Sequence, residues 1–137
     1  MPLADASLPL QKAFVAKLKA DVSMVAGRVY DGIPASATTP YISLGAFQVL
    51  PDNGGCLDGA QTIIQVDGWS TQANGATVEV KQLGTAIAAS LDEAALSLDA
   101  PHVLVDLKVT DTLYMREPDG ITTHTVVTVT AHTEPRD

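Results

Sequence analysis

The three histidines are the residues of this chain best suited to acid–base or metal chemistry. His102 opens one predicted strand, and His124 and His132 lie eight residues apart on another. At about 3.3 Å per residue, that separation is too long for both rings to bind one ion. None of the three has a Cys, Asp or Glu at metal-ligand spacing, and we expect His124 and His132 to lie among threonines at solvated strand ends. The sequence therefore predicts no metal site and no cofactor.

Cys56 and the glycines around it are the second place where chemistry is conceivable. A reactive thiol needs a helix N-terminus or clustered cations beside it, and the sequence predicts neither near Cys56. The run Asn53-Gly-Gly lacks the spacing and the following Lys-Ser/Thr of a phosphate-binding loop. We interpret this glycine-rich segment as an exposed connection.

The carboxylates complete the search for an active site. Asp92 and Glu93 follow a predicted helix and are typical of a solvated helix exit, while Asp106 and Asp111 fall on the polar face of a predicted strand. Catalytic carboxylates need buried surroundings that perturb their titration, and the sequence indicates none here. We therefore predict that the protein is not an enzyme, with a small cytoplasmic enzyme kept as an alternative.

Composition limits the remaining classes. A chain of 137 residues with 46% apolar residues predicts one folded domain, 1–137, that needs no disulfide. Its net charge of −8 and the absence of a basic cluster argue against direct nucleic-acid binding. Lys12, Lys17 and Lys19 fit the solvated face of one helix. With no apolar run of about 18 residues, we expect no membrane span.

Two amphipathic helices are predicted, at about 7–21 and 75–91. The first has the apolar stripe Leu10, Phe14, Val15, Leu18 and Val22, and the second has Val80, Leu83, Ile87 and Leu91. Ser7 is the expected N-cap of the first helix. Between them, residues 27–40 are rich in glycine and proline and predict a surface loop.

Four strands are predicted from alternating apolar residues. They lie at 41–47, 62–70 and in a C-terminal hairpin that turns at Pro118-Asp-Gly120. We expect 51–60 to be a flexible arm and 133–137 a frayed tail. The order α-β-β-α-β-β predicts a two-layer α+β fold, in which two helices pack on one face of a four-stranded antiparallel sheet.

The opposite face of that sheet is predicted to be less polar than a free surface. The candidate interface residues on it are Tyr41, Phe47, Trp69, Leu104 and Val126. A contiguous patch of this kind marks an interaction site. The alternative is that these residues are scattered singly and have no such role.

Four segments in this order resemble the tail terminator, or tail completion, family of phages, prophages and gene transfer agents. They are Leu10–Asp21, Gly27-Arg-Val-Tyr-Asp-Gly-Ile-Pro34, Thr39-Pro-Tyr-Ile-Ser-Leu-Gly45 and Val66-Asp-Gly-Trp-Ser70. The resemblance covers about 8–91 in sequence and the C-terminal hairpin by topology. This sequence departs from the family mainly in the length of its 51–60 connection.

The resemblance implies a virion structural protein without catalytic residues. Six copies are expected to form a ring that caps the tail tube, stops its growth and joins it to the head connector, with DNA passing through the lumen without specific binding. The chain would be made in the host cytoplasm and end in the tail or neck. The candidate residues of the arm for tube or connector contact are Asp52, Asn53, Cys56, Leu57 and Asp58. A head-completion or neck connector subunit and a monomeric binding module remain the alternatives.

Overall fold

The computed structural model describes residues 5–52 and 59–136. These ranges contain two α-helices and five strands. They are α1 (Ser7–Asp21), β1 (Val29–Tyr30), β2 (Tyr41–Asp52), β3 (Gly59–Thr71), α2 (Val78–Leu91), β4 (His102–Arg116) and β5 (Thr122–Pro135). No helix in the described ranges has the length and apolar character that crossing a membrane requires.

The start of α1 is stabilised from outside the helix. The prediction of Ser7 as N-cap is wrong, because the helix begins at Ser7 itself and no side chain of the N-cap residue, Ala6, caps it. Instead the Asp5 carboxylate accepts the Ser7 backbone N–H at 2.8 Å. Hydrogen bonds from Ser7 hold the pKa of Asp5 below its usual 3.8. An acidic group here also interacts favourably with the helix dipole.

The sheet has five strands in the order β1-β2-β3-β5-β4 and is mixed. The prediction of an α+β fold with two helices is confirmed, but the prediction of a four-stranded antiparallel sheet is wrong in detail. The additional strand, β1, is only two residues long and pairs parallel with β2, Val29 opposite Ile42. It lies in the glycine- and proline-rich segment 27–40, where so short a strand leaves no alternation to detect.

Both helices cover one face of the sheet and form the core with it. Phe14 of α1 and Leu83 and Ile87 of α2 are fully buried, as are Ile64 of β3 and Val129 of β5. A larger set of buried side chains completes this core, namely Leu10, Leu18, Val22, Val25, Ile42, Val66, Leu91, Leu107, Val127 and Ala131. The apolar stripes read from the sequence therefore point into the core.

Helix α2 lies so close to the sheet that two glycines are required. A Cβ on Gly68 would lie 2.8 Å from Leu83 Cδ2, and one on Gly84 would lie 2.5 Å from the Tyr114 hydroxyl. Real side-chain atoms do not approach at these distances, so with any larger residue the neighbouring side chains or the helix would have to shift. Gly68 and Gly84 thus set the separation of the two layers.

The strands extend further at both ends than the sequence predicts. Pro51 pairs with Ala60 and Asp52 with Gly59, so these ends of the expected 51–60 arm are strand. Its other residues, including Asn53, Cys56, Leu57 and Asp58, lie outside the described residues. The expectation of fraying is wrong for 133–136: β5 runs to Pro135, and the Arg136 N–H donates to the Pro101 carbonyl at 2.6 Å.

Candidate interaction surface

The face of the sheet turned away from the helices, called the open face below, holds three of the five residues predicted for it. Tyr41, Trp69 and Val126 lie there, because their cross-strand partners alternate with the buried core positions. Phe47 and Leu104 do not, since both pack against the core. Their placement on the open face is therefore wrong.

Strand irregularities explain both errors. The pairing register of β2 shifts between Leu44 and Phe47, which brings Phe47 opposite the buried Ile64. On β4, Leu104 lies opposite the buried Thr133, and the register shifts immediately after it. A β-bulge adds one residue to a strand and exchanges the faces of everything beyond it, so strict alternation fails there.

An aromatic row crosses one end of the open face. The ring of Tyr41 lies 5.8 Å from that of Tyr30 and 6.3 Å from that of Trp69. Trp69 stacks on His124, with ring centres 3.8 Å apart and planes 9° from parallel, and its indole N–H donates to the Ser43 hydroxyl at 3.0 Å. Burial in this row raises the pKa of Tyr41 above 10.0. The row is a rigid, half-buried surface built from four strands.

His124 is held between two carboxylates, contrary to the prediction of a solvated strand end. Its Nε2 lies 2.8 Å from Asp67 Oδ1 and its Nδ1 lies 3.3 Å from Glu117 Oε1, and only 13% of its side chain is exposed. Asp67 is 57 residues away in sequence and arrives through the pairing of β3 with β5. The carboxylates lie on opposite sides of the ring, so they fix its orientation and cannot share an ion with it.

The other residues considered for chemistry do not converge. His132 lies on the open face 3.7 Å from Asp106, while the Asp92 carboxylate accepts the Val109 N–H and Glu93 pairs with Lys108. Within the ranges the structure describes, no group of three or more His, Cys, Asp and Glu could hold a metal ion. These carboxylates satisfy backbone and side-chain partners of the β4 region.

Charge is distributed unequally between the two layers. The open face has acidic residues at Asp67, Asp106, Asp111, Glu117 and Glu134. The described cations among them are Lys108, opposite Thr130, and Arg136, whose guanidinium lies 2.8 Å from the Glu134 carboxylate. The helices instead contain Lys12, Lys17, Lys19 and Lys81 with the acids Asp21 and Glu79. The open face is therefore the acidic side of the domain, which net charge alone did not reveal.

Comparison with known proteins matches this chain to a family model and to solved structures. The model of the family described as "Tail completion protein gp17" matches residues 12–134. Among solved structures, a chain of the "Virion of native gene transfer agent (GTA) particle" is similar with a TM-score of 0.83 and 22% identity, over 94% of this chain and 97% of that chain. The second match shows a shared fold. No curated protein matches at the sequence level.

Proposed function

Because this chain belongs to the tail completion protein gp17 family, we propose that it is a tail terminator, which closes into a ring, caps the tail tube and joins it to the head connector. The family is one of structural phage tail proteins, so the chain is a structural component of a phage-type tail and not an enzyme. The family match over residues 12–134 is the observation that carries this proposal.

The ring is proposed to contain six copies arranged head to tail. A contact between two different surfaces, repeated around an axis, closes into a ring and leaves no surface unmatched. The two outermost long strands, β2 and β4, support such an arrangement, since Leu50 on β2 and Val105 and Leu113 on β4 are exposed. Apolar side chains exposed along sheet edges favour contact with another chain.

The open face is proposed to line the lumen through which DNA passes without specific binding. In the described residues, five carboxylates occupy that face against two cations, Lys108 and the Arg136 that pairs with Glu134. Phosphates are repelled by such a surface over about 8–10 Å at physiological salt. A lumen of this charge would let DNA slide. A reconstruction of the assembled tail with a basic lumen would contradict this part of the proposal.

The two ends of the sheet are proposed to meet the two axial partners, the tail tube protein and the head–tail connector. Tyr41, Trp69 and Val126 lie toward one end and remain candidate interface residues. The opposite end leads into residues 52–58, from which Asp52, Asn53, Cys56, Leu57 and Asp58 remain candidate contacts. Deleting 53–58 is expected to leave tails unjoined or of irregular length, and normal joined tails would argue against a contact role.

The test of the terminator function is tube growth. Purified protein is added to polymerising tail tubes, and tube length is measured by electron microscopy, with heat-denatured protein as the control. A terminator yields short tubes of uniform length with a ring at one end. Tubes that grow unchanged, while the protein binds purified connectors, would instead identify a neck connector subunit. A monomer that binds neither would contradict both.

A further inference from the structure

The outermost long strands of the sheet, β2 and β4, run in opposite directions. The pairs β2–β3, β3–β5 and β5–β4 are all antiparallel, so the direction reverses three times across the sheet. A second copy placed beside β4 in the same orientation would therefore present its β2 antiparallel to that strand. The topology allows one continuous antiparallel sheet to run through neighbouring copies.

Part of each outer edge is blocked within the chain. On β2, Ile42 and Ser43 already pair with β1, and a bulge follows between Leu44 and Phe47. Bulges and short covering segments are the devices by which proteins prevent unwanted edge pairing. The first part of β2 is therefore closed to another strand.

On β4 the blocked part is the first half. The Glu93 N–H donates to the Leu107 carbonyl at 2.9 Å, and the Val109 N–H donates to the Asp92 carboxylate at 3.0 Å. The segment 93–96 lies beside 104–106. A register shift after Val109 ends this blocked region.

After these blocked parts, each edge keeps one uncovered run of six residues. These runs are Phe47–Asp52 on β2 and Asp111–Arg116 on β4. Both keep a regular register with their inner neighbours. Within 5–52 and 59–136, neither run has a backbone hydrogen-bond partner on its outer side. Each also has one exposed leucine: Leu50 is 40% exposed and Leu113 is 51% exposed. An uncovered, regular edge with an exposed leucine is a template for strand pairing.

We propose that these two runs pair between neighbouring copies, Asp111–Arg116 of one with Phe47–Asp52 of the next, and this rests on the ring of the proposed function. Aligned end to end and antiparallel, the runs place Leu113 opposite Leu50 and Tyr114 opposite Val49. Leu50 and Leu113 both lie on the open face, because their inner partners are Gln61 and Val126. The open faces of the two copies therefore lie on the same side of the joined sheet.

The positions of the two runs also match the geometry of a closed sheet. Leu113 lies level with Ser43 through Val126 and Asp67, so it is about six residues, or about 20 Å, along the strands from the level of Leu50. Four strand spacings of about 4.8 Å span about 19 Å, so this stagger tilts the strands by about 45°, close to the tilt of closed barrels. The pairing bends the sheet into a ring, with the helices outside and the open face inside.

Disulfide trapping tests this contact. In a Cys56→Ser background, Leu50→Cys with Leu113→Cys should give disulfide-linked multimers up to the closed ring when tube-bound protein is oxidised. The matched control is Leu50→Cys with Val105→Cys. Val105 is 53% exposed and lies on β4 at the level of Leu50, so an edge contact without stagger would link this pair instead. The control pair should stay monomeric on a denaturing, non-reducing gel.

A charge exchange gives an independent measurement. Leu50→Lys or Leu113→Glu alone should abolish rings on tubes, and the two together should restore them, while all three variants keep the unfolding midpoint of the original chain. Rings that form without the 50–113 disulfide, or that link the control pair, would overturn this contact and leave the terminator function standing. If the unmodified chain never assembles on tubes, both proposals fail.

Discussion

The two faces of the sheet are built on different principles. The helix-covered face consists of side chains that are almost fully buried, among them Ile64, Val66, Val127 and Val129. The open face places polar and aromatic groups in fixed pairs, with Trp69 stacked on His124 and His124 bound by Asp67. Burial stabilises the first face without directional bonds. The second depends on cross-strand partners that hold each side chain in one position.

This difference separates stability from recognition. A buried side chain contributes to the free energy of unfolding in proportion to the apolar area that it removes from water. Its removal should therefore destabilise the whole domain. The pairs on the open face keep some exposure to solvent, so they contribute less to folding, but they present a defined shape to a partner. We therefore expect changes on the covered face to lower stability strongly, and changes on the open face to have smaller effects on folding.

Removal of the largest buried side chain should have the greatest effect. Phe14→Ala creates a cavity between α1 and the sheet, and should lower the free energy of unfolding by about 3–5 kcal/mol. Phe14 is fully buried, whereas Leu8 on the same helix is 71% exposed. Leu8→Ala is the control and should change stability by less than about 0.5 kcal/mol. If urea unfolding showed equal losses of unfolding free energy for Phe14→Ala and Leu8→Ala, Phe14 would not be a core residue.

Crowding the contact between the layers should have the next largest effect. Gly84→Ala brings a methyl group within 2.5 Å of the Tyr114 hydroxyl and 2.9 Å of Thr125 Oγ1. We expect a loss of about 1–3 kcal/mol in the same measurement. Gly32→Ala is the matched control, because no atom lies within 4 Å of its Cβ position. A neutral Gly84→Ala would mean that α2 lies farther from the sheet.

Replacing one buried polar side chain by an apolar one should stabilise the domain. The Thr62 side chain is fully buried on the covered face, and its hydroxyl has no hydrogen-bond partner among the described residues. Thr62→Val should therefore raise the free energy of unfolding by about 1–2 kcal/mol, because an unpaired buried hydroxyl is costly. Thr128→Val on the open face, half-exposed, is the comparison and should be near neutral.

On the open face, Trp69→Leu should lower the free energy of unfolding by about 0.5–1.5 kcal/mol. The change removes the stacking on His124 and the hydrogen bond to Ser43 but keeps an apolar side chain. Chemical denaturation followed by circular dichroism measures this change. A loss of unfolding free energy as large as that of Phe14→Ala would contradict the difference between the two faces, because the open face would then stabilise the fold as much as the core does.

The smallest effect should be at the turn between β4 and β5. The Asp119 carboxylate accepts hydrogen bonds from the Thr122 hydroxyl and N–H and from the Ile121 N–H, and these lower its pKa below 3.8. A carboxyl whose pKa is depressed by folding stabilises the fold above its unfolded pKa and loses this effect as the pH falls through the folded value.

The measurement is the unfolding midpoint of Asp119→Ala and of the original chain between pH 7 and pH 2. The difference between them should be constant near neutral pH, and should shrink once the pH falls below about 4. A difference that persists unchanged to pH 2 would show that the carboxylate charge is not what stabilises this turn.

The sequence by itself determined much of the architecture, because periodicity is a local property. The stripes Leu10, Phe14, Leu18 and Leu83, Ile87, Leu91 predicted both helices, and the alternation around Ile64 and Val66 predicted which face of β3 is buried. The ordered motifs 10–21, 27–34, 39–45 and 66–70 indicated the tail completion family, and the family match confirmed it.

Only the tertiary structure decided the faces of Phe47 and Leu104, the strand β1 and the surroundings of His124. The register across a bulge depends on the partner strand, so alternation along one strand placed Phe47 and Leu104 on the wrong face. Asp67 reaches His124 through strand register across 57 residues. Spacing along one chain fixes which side chains share a helix or strand face, whereas distances between strands are set by packing and hydrogen bonding in three dimensions.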